Sequence, residues 1–154
     1  MDLLLWRHAE AEELQPGGED RLRVLTQRGE KQAKRMAQWL DRQLPDTARV
    51  MVSPARRTEQ TALALGRKFK LCDALSPHDH GSQGLLNLVQ WPAAKGTVLV
   101  VGHQPMLGQT IARLVGMQES ECAVRKGALW WLRARQREGV WQTVVVSVQS
   151  PEFI

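Results

Sequence analysis

The chain has 154 residues, a length typical of one folded domain, and its 43% hydrophobic content is ordinary for a globular protein. This composition argues against a disordered chain, and no apolar run approaches the roughly 20 residues that a membrane-spanning helix requires. The formal net charge of +5 favours an anionic partner such as phosphate, an acidic protein surface or nucleic acid.

The N-terminus and the cysteines bear on where the protein works. Only residues 3–6 separate Asp2 from Arg7-His8, which is too short and has the wrong charge order for a signal peptide. We therefore expect a soluble, cytoplasmic protein. Cys72 and Cys122 form no disulfide framework, and reduced, structural thiols are expected.

The first third of the chain predicts a strand, a loop and a helix. Residues 3–6 are apolar and predict a buried strand, and the polar stretch 9–24 predicts a loop. Thr26 can cap a helix that runs to about Gln43 and ends before Pro45. The apolar residues of this helix fall on one face and are Ala33, Met36, Ala37, Leu40 and Leu44.

The middle of the chain predicts a second strand at residues 50–52 and a helix opened by Ser53-Pro54. Pro54 suits the first helical position. The buried face of this helix is predicted to carry Ala62, Leu65 and Phe69. A strand at 71–75, a loop at 76–84 and a short helix at 85–91 are expected to follow.

The last third predicts a strand at 98–101, a helix after Pro105 that stops at Gly116, and two final strands at 128–132 and 141–148. Leu107, Ile111, Leu114 and Val115 give that helix its apolar face, and Glu138-Gly139 forms the turn between the final strands. Strands that alternate with helices indicate an α/β fold, with three α/β/α layers and a mostly parallel central sheet. No repeat or linker divides the chain, so residues 1–154 are predicted to form a single domain.

Cationic or hydroxyl side chains follow three of the predicted strands. Arg7-His8 follows the first strand, the stretch from Ser53 to Arg57 follows the second, and His103 follows the strand at 98–101. In open α/β sheets, ligands bind beyond the carboxyl ends of the strands, so these groups are predicted to converge.

A pocket of two histidines and two arginines favours a dianion such as a phosphoryl group. Nearby positive charge disfavours the protonated form of a histidine, and a neutral ring nitrogen is a nucleophile. We hypothesise that His8 attacks phosphorus while Arg7, Arg57 and His103 bind the phosphoryl oxygens. Taken singly, each histidine is more often a packed residue, and Arg56-Arg57 is more often a solvated helix face.

Three motifs resemble those of the histidine phosphatase superfamily, which contains phosphoglycerate mutases and acid phosphatases. They are Leu5-Trp6-Arg7-His8-Ala9-Glu10, the stretch from Ser53-Pro54 to Thr61-Ala62, and Gly102-His103-Gln104-Pro105. Ala9 stands where the family usually has glycine. The stretch from Asp20 to Thr26 and the short chain are most similar to the SixA group of phosphohistidine phosphatases, although Val24 replaces a proline.

The resemblance implies a phosphoglycerate mutase-like fold without a large lid insertion. It implies His8 as the nucleophile, with Arg7, Arg57 (rather than Arg56) and His103 in the catalytic site. It further implies that no cofactor or metal is needed and that the partner is phosphate or a phosphohistidine-bearing protein. Membrane partners are not expected.

The superfamily places an acid for alcohol leaving groups between the second and third motifs. Asp79 is the first candidate here and His80 the second, although the SixA group is thought to lack a fixed acid. Arg23 and Gln104 are further candidates for substrate binding.

Three alternatives remain open on the sequence. The substrate is a small phosphomonoester if the site holds a positioned acid. Nucleic acid is a less favoured partner, suggested by Arg125-Lys126, Trp130-Trp131 and the arginines 133, 135 and 137. A zinc site from Cys72, His78 and His80 matches no strong ligand spacing.

Overall fold

The computed structural model describes residues 1–77 and 81–154, and these residues form six strands and four α-helices. The strands are β1 (Asp2–Arg7), β2 (Arg49–Val52), β3 (Lys70–Leu71), β4 (Thr97–Gly102), β5 (Leu129–Arg137) and β6 (Val140–Gln149). The helices are α1 (Gln27–Gln43), α2 (Arg56–Leu63), α3 (Gly81–Val89) and α4 (Met106–Val115). Within this described part of the chain, none of the helices combines the length and apolar character that crossing a membrane requires.

The strands form one mixed sheet in the order β3-β2-β4-β1-β5-β6. The four strands from β3 to β1 are parallel, whereas β5 and β6 are antiparallel to their neighbours. The prediction of a mostly parallel sheet is confirmed. The expected turn at Glu138-Gly139 joins β5 to β6, with positive φ angles of 52° and 78° at these two residues.

Helices cover both faces of the sheet because successive strand side chains point to opposite sides. On β1, Leu3 and Leu5 pack in a core that includes Leu85 of α3 and Ile111 of α4. The alternate residues of β1 pack in a second core with α1 and α2, whose members include Leu4, Trp6, Met36, Leu40 and Ala62. The three-layer α/β/α prediction is therefore confirmed.

The ends of α1 and α4 also agree with the sequence. The Thr26 side chain accepts a hydrogen bond from the Gly29 N–H, as an N-cap residue should. Gly116 ends α4 in the left-handed conformation, with φ of 74°, which glycine adopts without steric cost.

The predicted start of α2 at Pro54 is wrong, because the helix begins at Arg56. The Ser53 N–H donates to the Val101 carbonyl, which keeps this residue in the extended line of β2, and Ala55 is still extended. The helix ends at Leu63, so Leu65 and Phe69 lie beyond it. Both nevertheless pack in the core on the α1 side.

The predictions between residues 71 and 91 also need correction. The strand is only Lys70–Leu71, and Asp73–Leu75 forms a 3-10 turn closed by a hydrogen bond from the Leu75 N–H to the Cys72 carbonyl. Helix α3 begins at Gly81 rather than at residue 85, and it ends at Val89 because Gln90 takes a positive φ of 58°. The predicted loop at 76–84 therefore overlaps α3, and its residues 78–80 lie outside the described residues.

Candidate active site

Three neighbouring strands bring the predicted site residues to one edge of the sheet. Arg7, the last residue of β1, is in register with Gly102, the last residue of β4. The His8 N–H donates to the Gly102 carbonyl at 3.1 Å, and the Ser53 N–H donates to the Val101 carbonyl at 3.0 Å. The predicted convergence of these strand ends is present in the structure.

His8 is 5% exposed and is fixed at both its main chain and its ring. Its carbonyl accepts from the Gly127 N–H at 2.9 Å. Its Nδ1 lies 2.7 Å from the Ala9 carbonyl oxygen. A carbonyl oxygen can only accept, so Nδ1 carries the hydrogen, and the lone pair of the neutral ring is on Nε2.

Burial and positive charge hold this ring neutral. Burial is the largest cause, and the charges of Arg57, Arg7 and Arg23 add to it, so the pKa of His8 falls from 6.5 to about 3. The hydrogen bond to Ala9 opposes this shift but does not cancel it. Near neutral pH, Nε2 therefore has a free electron pair in a cationic environment.

His103 faces His8, with 5.4 Å between the ring centroids and an interplanar angle of 56°. Its Nε2 shares a hydrogen bond of 2.7 Å with the Ser53 hydroxyl. Burial, followed by the charge of Arg57, lowers the pKa of His103 from 6.5 to about 3. His103 is thus also neutral at physiological pH.

The terminal Nη groups of both predicted arginines donate hydrogen bonds to other parts of the protein. Arg7 donates from Nη1 to the Val124 carbonyl at 2.7 Å. Arg57 donates from Nη1 to the Asp20 carbonyl at 2.9 Å and from Nη2 to the Asp20 carboxylate at 3.0 Å. Arg57 is 4% exposed, whereas its neighbour Arg56 is exposed.

Three buried nitrogens in this site have no hydrogen-bond partner among the described residues. They are Nε of Arg7, Nε of Arg57 and Nδ1 of His103. An unsatisfied buried polar group costs about 1–3 kcal/mol, so three of them in one place point to a ligand that completes their hydrogen bonds. A phosphoryl group supplies oxygen acceptors with the charge that arginine prefers.

Arg23 lies in the same cluster, and Asp20 links it to Arg57. Arg23 donates to the Asp20 carboxylate at 3.0 Å and to the Glu12 carbonyl at 2.7 Å. Partial burial tends to raise the pKa of Asp20, but the hydrogen bonds and charges of Arg23 and Arg57 outweigh it and lower that pKa. Asp20 is therefore ionised and fixes both arginines.

The Gln104 side chain makes hydrogen bonds to helix α4 and to the segment that follows it. Its side-chain oxygen accepts from the Gly108 N–H at 2.7 Å, and its Nε2 donates to the Cys122 carbonyl at 2.8 Å. These bonds fix the start of α4 and the segment that leads to Val124. A role for Gln104 in substrate binding stays a prediction.

Sequence reasoning did not assign the supporting roles of three residues, one of which, Ser53, it had placed among the converging strand-end groups. Asp20 holds Arg57, Ser53 holds His103, and the Thr61 hydroxyl accepts from the Ala9 N–H and donates to the Arg57 carbonyl. All three stand inside the stretches that carry the family resemblance. Their positions in those stretches were the available signal.

The remaining candidates divide into residues inside and outside the described ranges. Asp79 and His80, the candidate acids, lie outside them, as does His78 of the alternative zinc site; Cys72 is buried. The Trp131 indole donates to Asp2 and packs edge-on against Trp39, and Trp130 packs against the α3–α4 core. Both indoles are therefore half-buried, each packed on one side against the protein.

Comparisons with known proteins agree with this geometry. The sequence profile described as Histidine phosphatase superfamily (branch 1) matches residues 3–81. The chain is 31% identical over 131 residues to a protein of Haemophilus influenzae named phosphohistidine phosphatase SixA homolog, covering 75% of this chain and 78% of that protein. The solved structure of the protein histidine phosphatase SixA complexed with tungstate matches with a TM-score of 0.73 at 28% identity, covering 98% of this chain and 97% of that one. A crystal structure from Agrobacterium tumefaciens matches in fold with a TM-score of 0.80 at 24% identity, covering 97% of both chains.

Proposed function

Because this chain belongs to the histidine phosphatase superfamily and is a phosphatase, we propose that it hydrolyses phosphohistidine in proteins, with His8 as the nucleophile. The hydrogen bond from His8 Nδ1 to the Ala9 carbonyl carries the proposal. It leaves the Nε2 electron pair available among buried, cationic groups.

The first step transfers the phosphoryl group to His8. The Nε2 electron pair attacks phosphorus, and the bond between phosphorus and the substrate's imidazole nitrogen breaks with its electron pair going to that nitrogen. Arg7, Arg57 and His103 bind the phosphoryl oxygens during transfer. The His8 ring becomes cationic, and the Ala9 carbonyl stabilises that cation through the Nδ1–H bond.

The second step returns the enzyme to its starting state. Water attacks phosphorus, the bond from phosphorus to Nε2 breaks, and inorganic phosphate leaves. The electron pair of the broken bond returns to Nε2. The proton lost by water goes to the phosphate or to solvent.

A phosphohistidine substrate suits this site because its leaving group needs no separate acid. If the far nitrogen of the substrate's ring is protonated, the ring leaves as neutral imidazole. The leaving group of an alkyl phosphate ester is instead an alkoxide, which an acid must protonate. Asp20 is a poor donor for that purpose, since Arg23 and Arg57 keep it ionised. The name of the Haemophilus influenzae relative supports the same choice of substrate.

Replacement of the nucleophile tests the mechanism. His8→Ala should abolish hydrolysis of a phosphohistidine peptide, because no other group would take up the phosphoryl group. Brief mixing with labelled substrate should trap acid-labile phosphate on the wild type and none on the variant, while circular dichroism shows both to be folded. Full activity of His8→Ala would refute this role of His8.

Kinetics on two substrate classes separates the proposal from its nearest alternative. We expect kcat/KM to be higher for a phosphohistidine peptide than for an aryl phosphate. Asp79→Asn should leave hydrolysis of the peptide unchanged. Preference for the ester, together with loss of activity in Asp79→Asn, would instead favour a small phosphomonoester with Asp79 as the acid.

A further inference from the structure

A groove of about 210 Å³ lies between α1 and the C-terminal residues, and its lining differs from the groups around His8. Three cations of α1 line it, namely Arg28, Lys31 and Arg35. Their spacings of three and four residues place them on one face of the helix, and all three are exposed. The other lining residues are Gln32, Pro151 and Glu152.

Positive charge exceeds negative charge at this groove. Glu152 is its one lining carboxylate within the described residues, and the Ser150 hydroxyl already donates to it. That hydrogen bond is the largest cause that lowers the pKa of Glu152, and the charges of Arg125 and Arg28 lower it further. Arg125 does not line the groove itself. A second carboxylate, Glu10, lies 3.8 Å from Arg28 Nη1, so Lys31 and Arg35 are the cations that exceed the negative charge.

The floor of the groove contacts the main chain on both sides of the nucleophile. The Glu10 N–H donates to the Gln32 side chain at 3.0 Å, and Glu10 is two residues from His8, so their Cα atoms are at most about 7.6 Å apart. On the other side, the Gly127 N–H donates to the His8 carbonyl. A Cβ placed on Gly127 would lie 3.2 Å from Pro151 and 3.6 Å from Gln32. The groove therefore lies beside the main chain that carries His8.

We propose that this groove binds an acidic segment of the protein whose phosphohistidine is hydrolysed at His8; the identity of that partner rests on the function proposed above. A cationic surface beside the pocket attracts an acidic partner and orients it during encounter. Binding of single-stranded nucleic acid commonly uses aromatic platforms, whereas the described lining contains no aromatic side chain. The charge and composition of the groove therefore favour an acidic protein segment.

Peptide binding tests the groove without relying on turnover. The probe is a fluorescent, unphosphorylated peptide in which a histidine is flanked by aspartates, with a serine-flanked peptide of equal length for comparison. At low salt we expect K31E/R35E to weaken binding of the acidic peptide by about tenfold or more, since electrostatic attraction is lost. The matched control is R135E/R137E, which makes the same charge change at the far end of β5 and should alter binding by less than about twofold.

Turnover gives the second readout. In K31E/R35E, kcat/KM for an aspartate-flanked phosphohistidine peptide should fall by the same factor as the affinity, and kcat/KM for phosphoramidate should be unchanged. The proposal is overturned if the wild type binds both peptides equally, or if both double variants lose the same affinity. It is also overturned if K31E/R35E loses affinity for an oligonucleotide but retains affinity for the acidic peptide. Selective acidic-peptide binding without any phosphohistidine hydrolysis would refute the proposed function and support the acidic docking surface.

Discussion

Arg56 and Arg57 are adjacent in sequence but occupy different environments. Arg57 is buried and is held by two hydrogen bonds to Asp20, whereas Arg56 is exposed. We expect Arg57→Ala to lower kcat/KM for phosphoramidate by about 10²–10³-fold, as for other preorganised charge-stabilising donors. Arg56→Ala, the matched control, should change it by less than about twofold. The opposite ranking would show that the motif register is shifted by one residue.

The two buried histidines predict how stability depends on pH. Burial, together with nearby positive charge, lowers the pKa of both His8 and His103 from 6.5 to about 3 in the folded state. The unfolded chain therefore binds more protons below about pH 6.5, and the free energy of unfolding falls as pH decreases towards 3. Each histidine contributes a slope of at most about 1.4 kcal/mol per pH unit.

Urea unfolding of the wild type at pH 7, 6 and 5 measures this slope. His103→Gln removes one of the two groups, so we expect its stability to fall less steeply with acidification. An identical slope in the two proteins would mean that His103 does not titrate differently on folding.

The residues proposed to bind the phosphoryl group could be identified from the sequence, but the contacts that hold them in place could not. His8, Arg57 and His103 stand at fixed places in motifs that follow three strands. Asp20 and Arg57 are 37 positions apart in the chain. Their hydrogen bond depends on the path of the loop that carries Asp20, and the sequence does not specify that path. The roles assigned to these residues stay predictions until the variants above are measured.

Helix α1 approaches the loop after His8 so closely that position 29 has no room for a side chain. This glycine is buried in the first turn of α1, and an added Cβ would overlap the Glu10 carbonyl. Gly→Ala in a helix ordinarily stabilises by about 0.5–1 kcal/mol. Gly29→Ala should instead destabilise by roughly 1–3 kcal/mol, because the main chain near His8 must move.

Thermal or urea unfolding measures this change, and we expect lower phosphatase activity as well. Gln38→Ala on the exposed side of α1 is the control and should shift stability by less than about 0.5 kcal/mol. A more stable Gly29→Ala protein would contradict the contact with Glu10.

Strong local signals decided which elements were predicted correctly. Helix α1 combines a capping threonine with a regular apolar face, so both of its ends were found. Helix α3 has glycine at two of its first four positions, Gly81 and Gly84, and tertiary packing of Leu85 and Val89 compensates for these poor helix formers. Such compensation cannot be inferred from a single segment.

An oxyanion that fills the pocket should raise the thermal stability of the whole molecule. Tungstate is an oxyanion with the shape and charge of phosphate, and its oxygens are acceptors for the unpaired nitrogens of Arg7, Arg57 and His103. Binding to the folded state alone stabilises it by about 2.7 kcal/mol at 100 times Kd, so Tm should rise with tungstate concentration. Differential scanning fluorimetry measures this rise, and Arg57→Ala should reduce it. An unchanged Tm in the wild type would argue against an oxyanion site.

The order of the strands is a property of the whole molecule that the sequence did not provide. Alternating strands and helices predicted a mostly parallel sheet, and the turn at Glu138-Gly139 predicted the final hairpin. The placement of β1 between β4 and β5 depends on how distant segments pack. Single-domain organisation over residues 1–154 stays a prediction.

The β5–β6 hairpin extends away from the pocket. Leu129 pairs with Trp6 near His8, whereas Arg133 already pairs with Asp2 at the opposite end of β1. The nine residues from Leu129 to Arg137 span about 26 Å, so the turn at Glu138-Gly139 lies far from the nucleophile. A biotinylated tag inserted in this turn would immobilise the enzyme on a sensor surface with its pocket facing the solution. Partner proteins could then be captured in a uniform orientation.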